Sequence, residues 1–253
     1  VVPGRGSHHH RYHSSVSRSG GGSDDEGNSG SSVSGLIYGL LWVLFNGFFR
    51  TFLRLRVFGS EHFPRTGGII VAANHASYSD IPILGCAIRR RVFFLGRFNF
   101  FSHILINWVI QRLGWIPLKT HRLDRKAFGE ALNLLNNGKP VVIFPEGSRT
   151  EDGTLQPGRP GIGYLVAESQ CQVIPAFISG TFTVLPPGAM WPRFVPVSVT
   201  FGKPLSFPKF QKNGRAKEFY EQVGLSVMEH IAELSVTKEG HRKPFEGSST
   251  KIL

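Results

Sequence analysis

Gly68-Ile69-Ile70-Val71-Ala72-Ala73-Asn74-His75-Ala76-Ser77-Tyr78-Ser79-Asp80 is the stretch that decides how the chain is read. Its first six residues are an unbroken apolar run, which predicts a buried strand. Beyond Asp80, Ile81-Pro82-Ile83-Leu84 reads as a helix start, because Ser79 or Asp80 can cap and Pro82 falls in the first turn. His75 and Asp80 therefore sit in the turn that leaves a strand, where α/β scaffolds commonly carry chemistry. On a regular helix, residues five apart point about 140° away from each other; a turn can fold them together. The Asp then accepts the imidazole N–H, fixes the tautomer and leaves the other nitrogen to take a proton. A His beside an Asp is by itself more often a structural pair than a catalytic one, so the rest of the chain has to decide.

A second strand and turn follow some seventy residues on. Pro140-Val141-Val142-Ile143-Phe144 reads as a buried strand and runs into Pro145-Glu146-Gly147-Ser148-Arg149-Thr150. Gly147 lets backbone N–H groups approach a ligand closely. Arg149 offers a planar fork of donors suited to phosphate. Glu146 can accept from a hydroxyl or hold Arg149 in place. The bland alternative is a capped turn with a surface ion pair.

The remaining chain bounds the answer. Its 253 residues suit one or two domains. The formal net charge of +12 favours an anionic partner such as a phosphorylated substrate, an acidic lipid surface or nucleic acid. Cys86 and Cys171 lie in unrelated apolar contexts and indicate neither a disulfide framework nor a metal motif. No cleavable signal pattern is read at the start. Residues 1–34 are rich in Gly, Ser and His and are expected to be a disordered tail. Residues 35–56 turn almost wholly apolar and then basic, with Trp42, Phe45, Phe48, Phe49 and Phe52 ahead of or among Arg50, Arg54 and Arg56. The uncharged part is shorter than the ~20 residues that a spanning helix needs. It suits a helix lying in one leaflet with its basic residues at anionic headgroups; it also suits a buried core helix. A span over residues 33–53 would require Arg50 to snorkel.

Several further elements read in order. Arg89-Arg90-Arg91 precedes a strand at Val92–Gly96 and is either a solvated loop or a phosphate contact near a membrane. Phe98 to Arg112 is aromatic and helical in period. Gly114–Leu118 is a short strand followed by Lys119, His121, Arg122 and Arg125, a basic cluster at a strand end. Leu123 to Asn136 has helical spacing and stops at Asn137-Gly138. Val195 to Phe201 alternates like a strand, and residues 215–236 form an amphipathic helix covering the sheet. Thr237 to Leu253 is basic, polar and expected to fray. The alternation predicts an α/β fold: a mixed, mostly parallel sheet flanked by helices, as one domain over residues 57–236, preceded by a membrane-associated helix.

Taken together, the two turns strongly resemble the glycerolipid acyltransferase family, which includes 1-acyl-glycerol-3-phosphate acyltransferases. The Asn-His-x4-Asp block and the Phe-Pro-Glu-Gly-Ser-Arg-Thr block carry the resemblance, which covers about Val57 to Gly202. Gly114–Leu118 looks like the family's second block, and Val173-Ile174-Pro175-Ala176-Phe177 like its fourth. Pro157–Gly161, with Arg159, resembles the basic segment after the third. The second block departs from the family: Thr120 stands where an Arg is usual, with Lys119, Arg122 and Arg125 around it.

The resemblance implies an acyltransferase that moves a fatty acyl group from acyl-CoA or acyl carrier protein to the free hydroxyl of 1-acyl-glycerol-3-phosphate, giving phosphatidate. It implies His75 as general base and Asp80 as its orienting partner. It implies that Gly147, Arg149, Lys119 and Arg122 hold the acceptor phosphate, with Glu146 on glycerol hydroxyls and Ser148 and Thr150 in the same binding turn. No Ser or Cys nucleophile is needed, because the thioester is already activated; no metal or bound cofactor is required, and no ligand spacing for a metal is found. The expected setting is a membrane surface with anionic lipids, at its cytoplasmic face. Acylation of another lysolipid or of glycerol 3-phosphate is the nearest alternative; a non-enzymatic basic membrane-binding protein is the alternative from another class. Nucleic-acid binding is disfavoured, because the aromatic residues cluster in apolar runs rather than alternate with basic ones. No Gly-x-Ser-x-Gly elbow or phosphate-binding Gly-x4-Gly-Lys-Ser/Thr loop occurs.

Overall fold

A computed structural model describes residues 29–97, 114–118, 124–186, 189, 191–211 and 215–236, with side chains from residue 39 onward. Seven strands form one sheet: β1 (Arg56–Phe58), β2 (Ile69–Ala73), β3 (Phe93–Arg97), β4 (Trp115–Leu118), β5 (Pro140–Ile143), β6 (Val173–Ser179) and β7 (Ser198–Phe201). Their spatial order is β1-β7-β6-β2-β5-β3-β4. All neighbours run parallel except β6 and β7. The expected mixed, mostly parallel sheet is therefore present. The strand expected over Val195 to Phe201 begins later, at Ser198.

The helices divide between the two faces. α1 (Ser29–Phe52) and α2 (Asp80–Ala87) cover one; α3 (Arg125–Asn136), α4 (Gly161–Ser169) and α6 (Ala216–Val236) cover the other. A four-residue turn of helix, α5 (Thr181–Val184), follows β6. Strand β2 shows why the layers form. All five of its residues are buried. Ile69, Val71 and Ala73 join the core under α1 and α2, whereas Ile70 and Ala72 join the core under α3, α4 and α6. This is the period-two alternation of a strand covered on both sides.

Helix limits follow from local chemistry. Asp124 caps α3 by accepting from the backbone N–H groups of Lys126 and Ala127, each at 3.2 Å. Asn137-Gly138 closes it as the sequence predicts, with Gly138 at φ +72°. Helix α4 packs so closely on α6 that a Cβ on Gly163 would collide with the backbone of Tyr220.

The N-terminal boundary differs from expectation. Residues 29–34, expected in the disordered tail, are the first turns of α1. The apolar residues that follow continue the same helix, and its far end is anchored: Phe49 and Leu53 are buried against the core. Asn46 donates to the Cys86 carbonyl of α2 at 3.1 Å and accepts from Arg50 at 2.6 Å. Among the described residues no helix is long and apolar enough to cross a membrane. The helix expected over Phe98 to Arg112, residues 1–28 and residues 237–253 lie outside the described residues.

The basic triplet also differs from one of its two expected roles. The Arg90 guanidinium donates to the carbonyls of Pro64 at 3.0 Å, Gly67 at 2.8 Å and Gly138 at 2.7 Å. Those carbonyls precede β2 and β5, so Arg90 ties together the end of the sheet away from the His75 turn. Arg90→Ala is expected to lower stability by about 1–3 kcal/mol and to leave ligand binding at the His75 turn unchanged. Arg90→Lys should recover only part of that, because an ammonium cannot reproduce the fork. Denaturant unfolding of the three proteins checks this.

Candidate active site

The site is set by register. β2 and β5 are parallel neighbours with Ala72 opposite Ile143, an offset of 71 residues. Beyond the strands the two chains continue side by side at that same offset. The backbone N–H of His75 donates to Glu146 Oε1 at 2.8 Å, and Arg149 Nη2 donates to the Tyr78 hydroxyl at 2.7 Å, both pairs again 71 apart. A third bond runs from the Thr150 N–H to the His75 carbonyl at 2.9 Å. Asn74 fastens the turn on its other side. Its side chain donates to the Ile178 carbonyl at 3.0 Å and accepts the Ile178 N–H at 2.7 Å, extending β2 toward β6 by one amide.

The histidine and aspartate meet. His75 Nδ1–H donates to Asp80 Oδ2 at 2.9 Å. The same oxygen accepts the backbone N–H groups of Ala76 at 2.7 Å and Ser77 at 2.8 Å. Asp80 is fully buried as the first residue of α2, and three donors converging on one oxygen offset much of the cost of burying it. The imidazole lies flat on Phe144, with ring centroids 4.1 Å apart and an interplanar angle of 16°. Ring stacking and the carboxylate thus fix the ring's plane and rotation, and Nε2 carries the lone pair.

The Glu146–Thr150 turn divides between inside and outside. Glu146 is buried, and its oxygens accept the N–H groups of His75 and, at 3.0 Å, Gln156. Burial is the main cause that pushes its carboxyl up to about 7, with the Asp80 charge adding to it against those two N–H bonds. The side chain therefore braces two loops. Thr150 is likewise buried, its hydroxyl donating to Asp152 at 2.9 Å and accepting from the Gly153 N–H at 3.1 Å. Ser148 is exposed.

Gly147 stands at φ +72°, a conformation side chains rarely adopt, and a Cβ there would sit 2.6 Å from Arg159 Cδ. Arg159 crosses over it, its Nε donating to the Glu146 carbonyl at 3.0 Å. The Arg149 guanidinium stacks on Tyr78, 3.3 Å from the ring centroid. Lys119 and Arg122 lie outside the described residues. Two cations, Arg149 and Arg159, thus flank a glycine turn whose backbone is joined to the His75 turn. Cys86 is no rival nucleophile, because burial pushes its thiol up to about 12. Among the described residues no group of three or more His, Cys, Asp or Glu side chains is arranged to hold a metal ion.

Four residues of the site carry little signal in the sequence. Tyr78 and Phe144 read as part of a turn and a strand, yet they hold Arg149 and His75. Gln156 acts through its backbone, which leaves no mark in a side-chain pattern. Arg159 was visible only through the resemblance.

A mostly parallel α/β sheet thus sets a His–Asp pair in one strand-end turn beside an arginine turn, an arrangement chemically able to take up a proton next to an anion. Residues 54–179 match the family model described as Acyltransferase. A chloroplastic 1-acyl-sn-glycerol-3-phosphate acyltransferase of Arabidopsis thaliana is 29% identical over 143 residues, covering 54% of this chain and 39% of that protein. The Saccharomyces cerevisiae 1-acyl-sn-glycerol-3-phosphate acyltransferase is 26% identical over 199 residues, covering 72% of this chain and 61% of its own. The crystal structure of the 1-acyl-sn-glycerophosphate acyltransferase PlsC from Thermotoga maritima superposes with a TM-score of 0.62 at 25% identity, covering 81% of this chain and 83% of that one. The chain belongs to the glycerolipid acyltransferase family. It spans about two fifths of the length of the chloroplastic relatives of Arabidopsis thaliana and Brassica napus that it matches.

The raised carboxyl of Glu146 makes stability depend on pH with a definite sign. Between its ordinary value of 4.5 and about 7 the folded protein holds a proton that the unfolded chain has released. Stability attributable to this group therefore falls as pH rises through that window, and the loss is complete above it. Glu146→Gln should flatten this slope while lowering stability throughout, because its amide cannot accept both N–H groups. Thermal midpoints of the two proteins between pH 5 and pH 8 test it.

Proposed function

We propose that the chain transfers a fatty acyl group from acyl-CoA or acyl carrier protein to the free hydroxyl of 1-acyl-glycerol-3-phosphate, giving phosphatidate. The observation that carries the reading is His75, held through Nδ1 by Asp80 at 2.9 Å, on a turn joined to the one bearing Arg149.

His75 Nε2 removes the acceptor hydroxyl proton as the oxygen attacks the thioester carbonyl. Asp80 keeps the ring aligned and stabilises the imidazolium that forms. The tetrahedral intermediate collapses by breaking the carbon–sulfur bond, and the departing thiolate takes the proton back from His75. An ester and a free thiol result, without a covalent enzyme intermediate. The acceptor phosphate rests against Arg149 and Arg159 at the Gly147 turn. Glu146 and Thr150 serve this arrangement from beneath. Membrane association, at the cytoplasmic face, runs through α1, whose outer face is apolar and whose last turns carry Arg50.

His75→Ala should lower turnover by about 10²–10⁴-fold, with acceptor affinity little changed. Turnover equal to the parent's in a labelled-donor assay would overturn the reading. The same assay run with lysophosphatidate, other lysolipids and glycerol 3-phosphate decides the acceptor.

Tyr78 holds Arg149 by both its ring and its hydroxyl. Tyr78→Phe should raise the acceptor KM a few-fold and Tyr78→Leu about tenfold or more, with kcat close to the parent's in both. A drop in kcat at constant KM would assign Tyr78 to the chemical step instead.

A further inference from the structure

Helix α1 has two apolar faces, and the fold covers one of them. Phe49 and Leu53 pack inward, while Leu40, Leu44, Phe48 and Phe52 recur every fourth residue along the outside at 41–62% exposure. A helix on the surface of a water-soluble domain carries polar residues there. The stripe does not stop where the helix stops. The loop before β7 brings Phe194 against Phe48 and Phe52, with ring centroids 6.2 and 5.6 Å apart, yet Phe194 stays 60% exposed. Three residues earlier, Trp191 is 80% exposed.

The charge around this surface has a single sign. Arg50, Arg54 and Arg193 are exposed among these side chains. The sequence holds no Asp or Glu from Ser29 to Ser60 or from Thr181 to Gln211. In a symmetric dimer such a rim would meet its own copy and repel it. Against anionic headgroups it is neutralised, and an indole beside arginine is the composition of a membrane–water boundary.

We propose that Trp191 and Phe194 form, with the outer stripe of α1, one surface that inserts into the interface of a bilayer containing anionic lipid. Arg50, Arg54 and Arg193 contact the headgroups. The proposal rests on the reading of α1 as a membrane-contact helix and adds a second, separate element to it. That element is tied to the site. The Arg193 N–H donates to the Val184 carbonyl at 2.7 Å, and Ser77 Oγ, in the His75 turn, donates to the Leu185 carbonyl at 3.3 Å. Seating the loop in the interface therefore holds the His75 turn at the lipid surface.

The test uses the full chain and sedimenting vesicles of phosphatidylcholine, with or without phosphatidylglycerol. The variants are Trp191→Ala with Phe194→Ala, Leu44→Ser with Phe48→Ser, and Arg193→Gln. All these positions are exposed, so circular dichroism and thermal midpoints should match the parent. The parent should bind the anionic vesicles more tightly, and each paired variant should lose about tenfold or more in partitioning. Arg193→Gln should weaken binding to the anionic vesicles alone. Turnover of a monomeric short-chain acceptor by the Trp191/Phe194 variant should equal the parent's. Trp191→Phe should reduce the fluorescence quenching caused by brominated lipid.

Parental partitioning by the Trp191/Phe194 variant overturns the proposal. If the Leu44/Phe48 variant alone loses binding, the α1 reading stands without the loop; if it too binds like the parent, that reading falls as well. Self-association in the absence of vesicles, abolished in the Trp191/Phe194 variant, would assign the surface to a second copy and overturn the bilayer.

Discussion

β2 and β5 lie side by side with Ala72 opposite Ile143, and the chain keeps that pairing after the strands end. Because parallel strands advance together, both turns leave the sheet at the same edge and at the same height. His75 then falls beside Glu146 and Tyr78 beside Arg149 without a long loop to bring them there. A slip of one residue between these strands would turn every side chain of one to the other face. The two cores forbid that, because Ile69, Val71 and Ala73 fill one and Ile70 and Ala72 fill the other. Hydrophobic packing in the middle of the sheet thereby fixes polar geometry at its end.

Two buried carboxylates sit under this edge, and they are treated differently. Asp80 collects three donors on a single oxygen, including the imidazole. Glu146 has two backbone donors, one on each oxygen, and burial outweighs them, so its carboxyl is pushed up to about 7. Asp80's charge adds to that effect, so ionising Glu146 costs more while Asp80 is charged. The arrangement separates roles: one carboxylate faces the ring, and the other joins backbone to backbone.

Much of this was legible in the residues. Unbroken apolar runs at 68–73 and 140–144 announced buried strands, and a His and an Asp in one strand-end turn announced a pair. The helix over 125–136 announced its own end through Asn137-Gly138. What stayed hidden has a common cause: it depends on which way a side chain turns once distant segments meet. Glu146 reads equally well as a ligand contact or as a brace, and the residues around it do not announce the His75 and Gln156 N–H groups that it accepts from. Arg90 looks like one of three solvated arginines until three carbonyls from other loops surround it. The start of α1 lies earlier than its composition suggests, for a different reason. Gly and Ser are poor helix formers, so residues 29–34 resemble tail; they are helical as an extension of a segment anchored at Phe49 and Leu53.

Helix α2 joins two features described apart. Its first residue is Asp80, and near its other end the Cys86 carbonyl accepts from Asn46 of α1. An eight-residue helix is a stiff strut of about 12 Å. The carboxylate that aims the imidazole is therefore bolted to the N-terminal helix through one short rod. Wherever that helix settles, the imidazole of His75 follows at a constant standoff, and lengthening or shortening the rod by a turn would reset the distance.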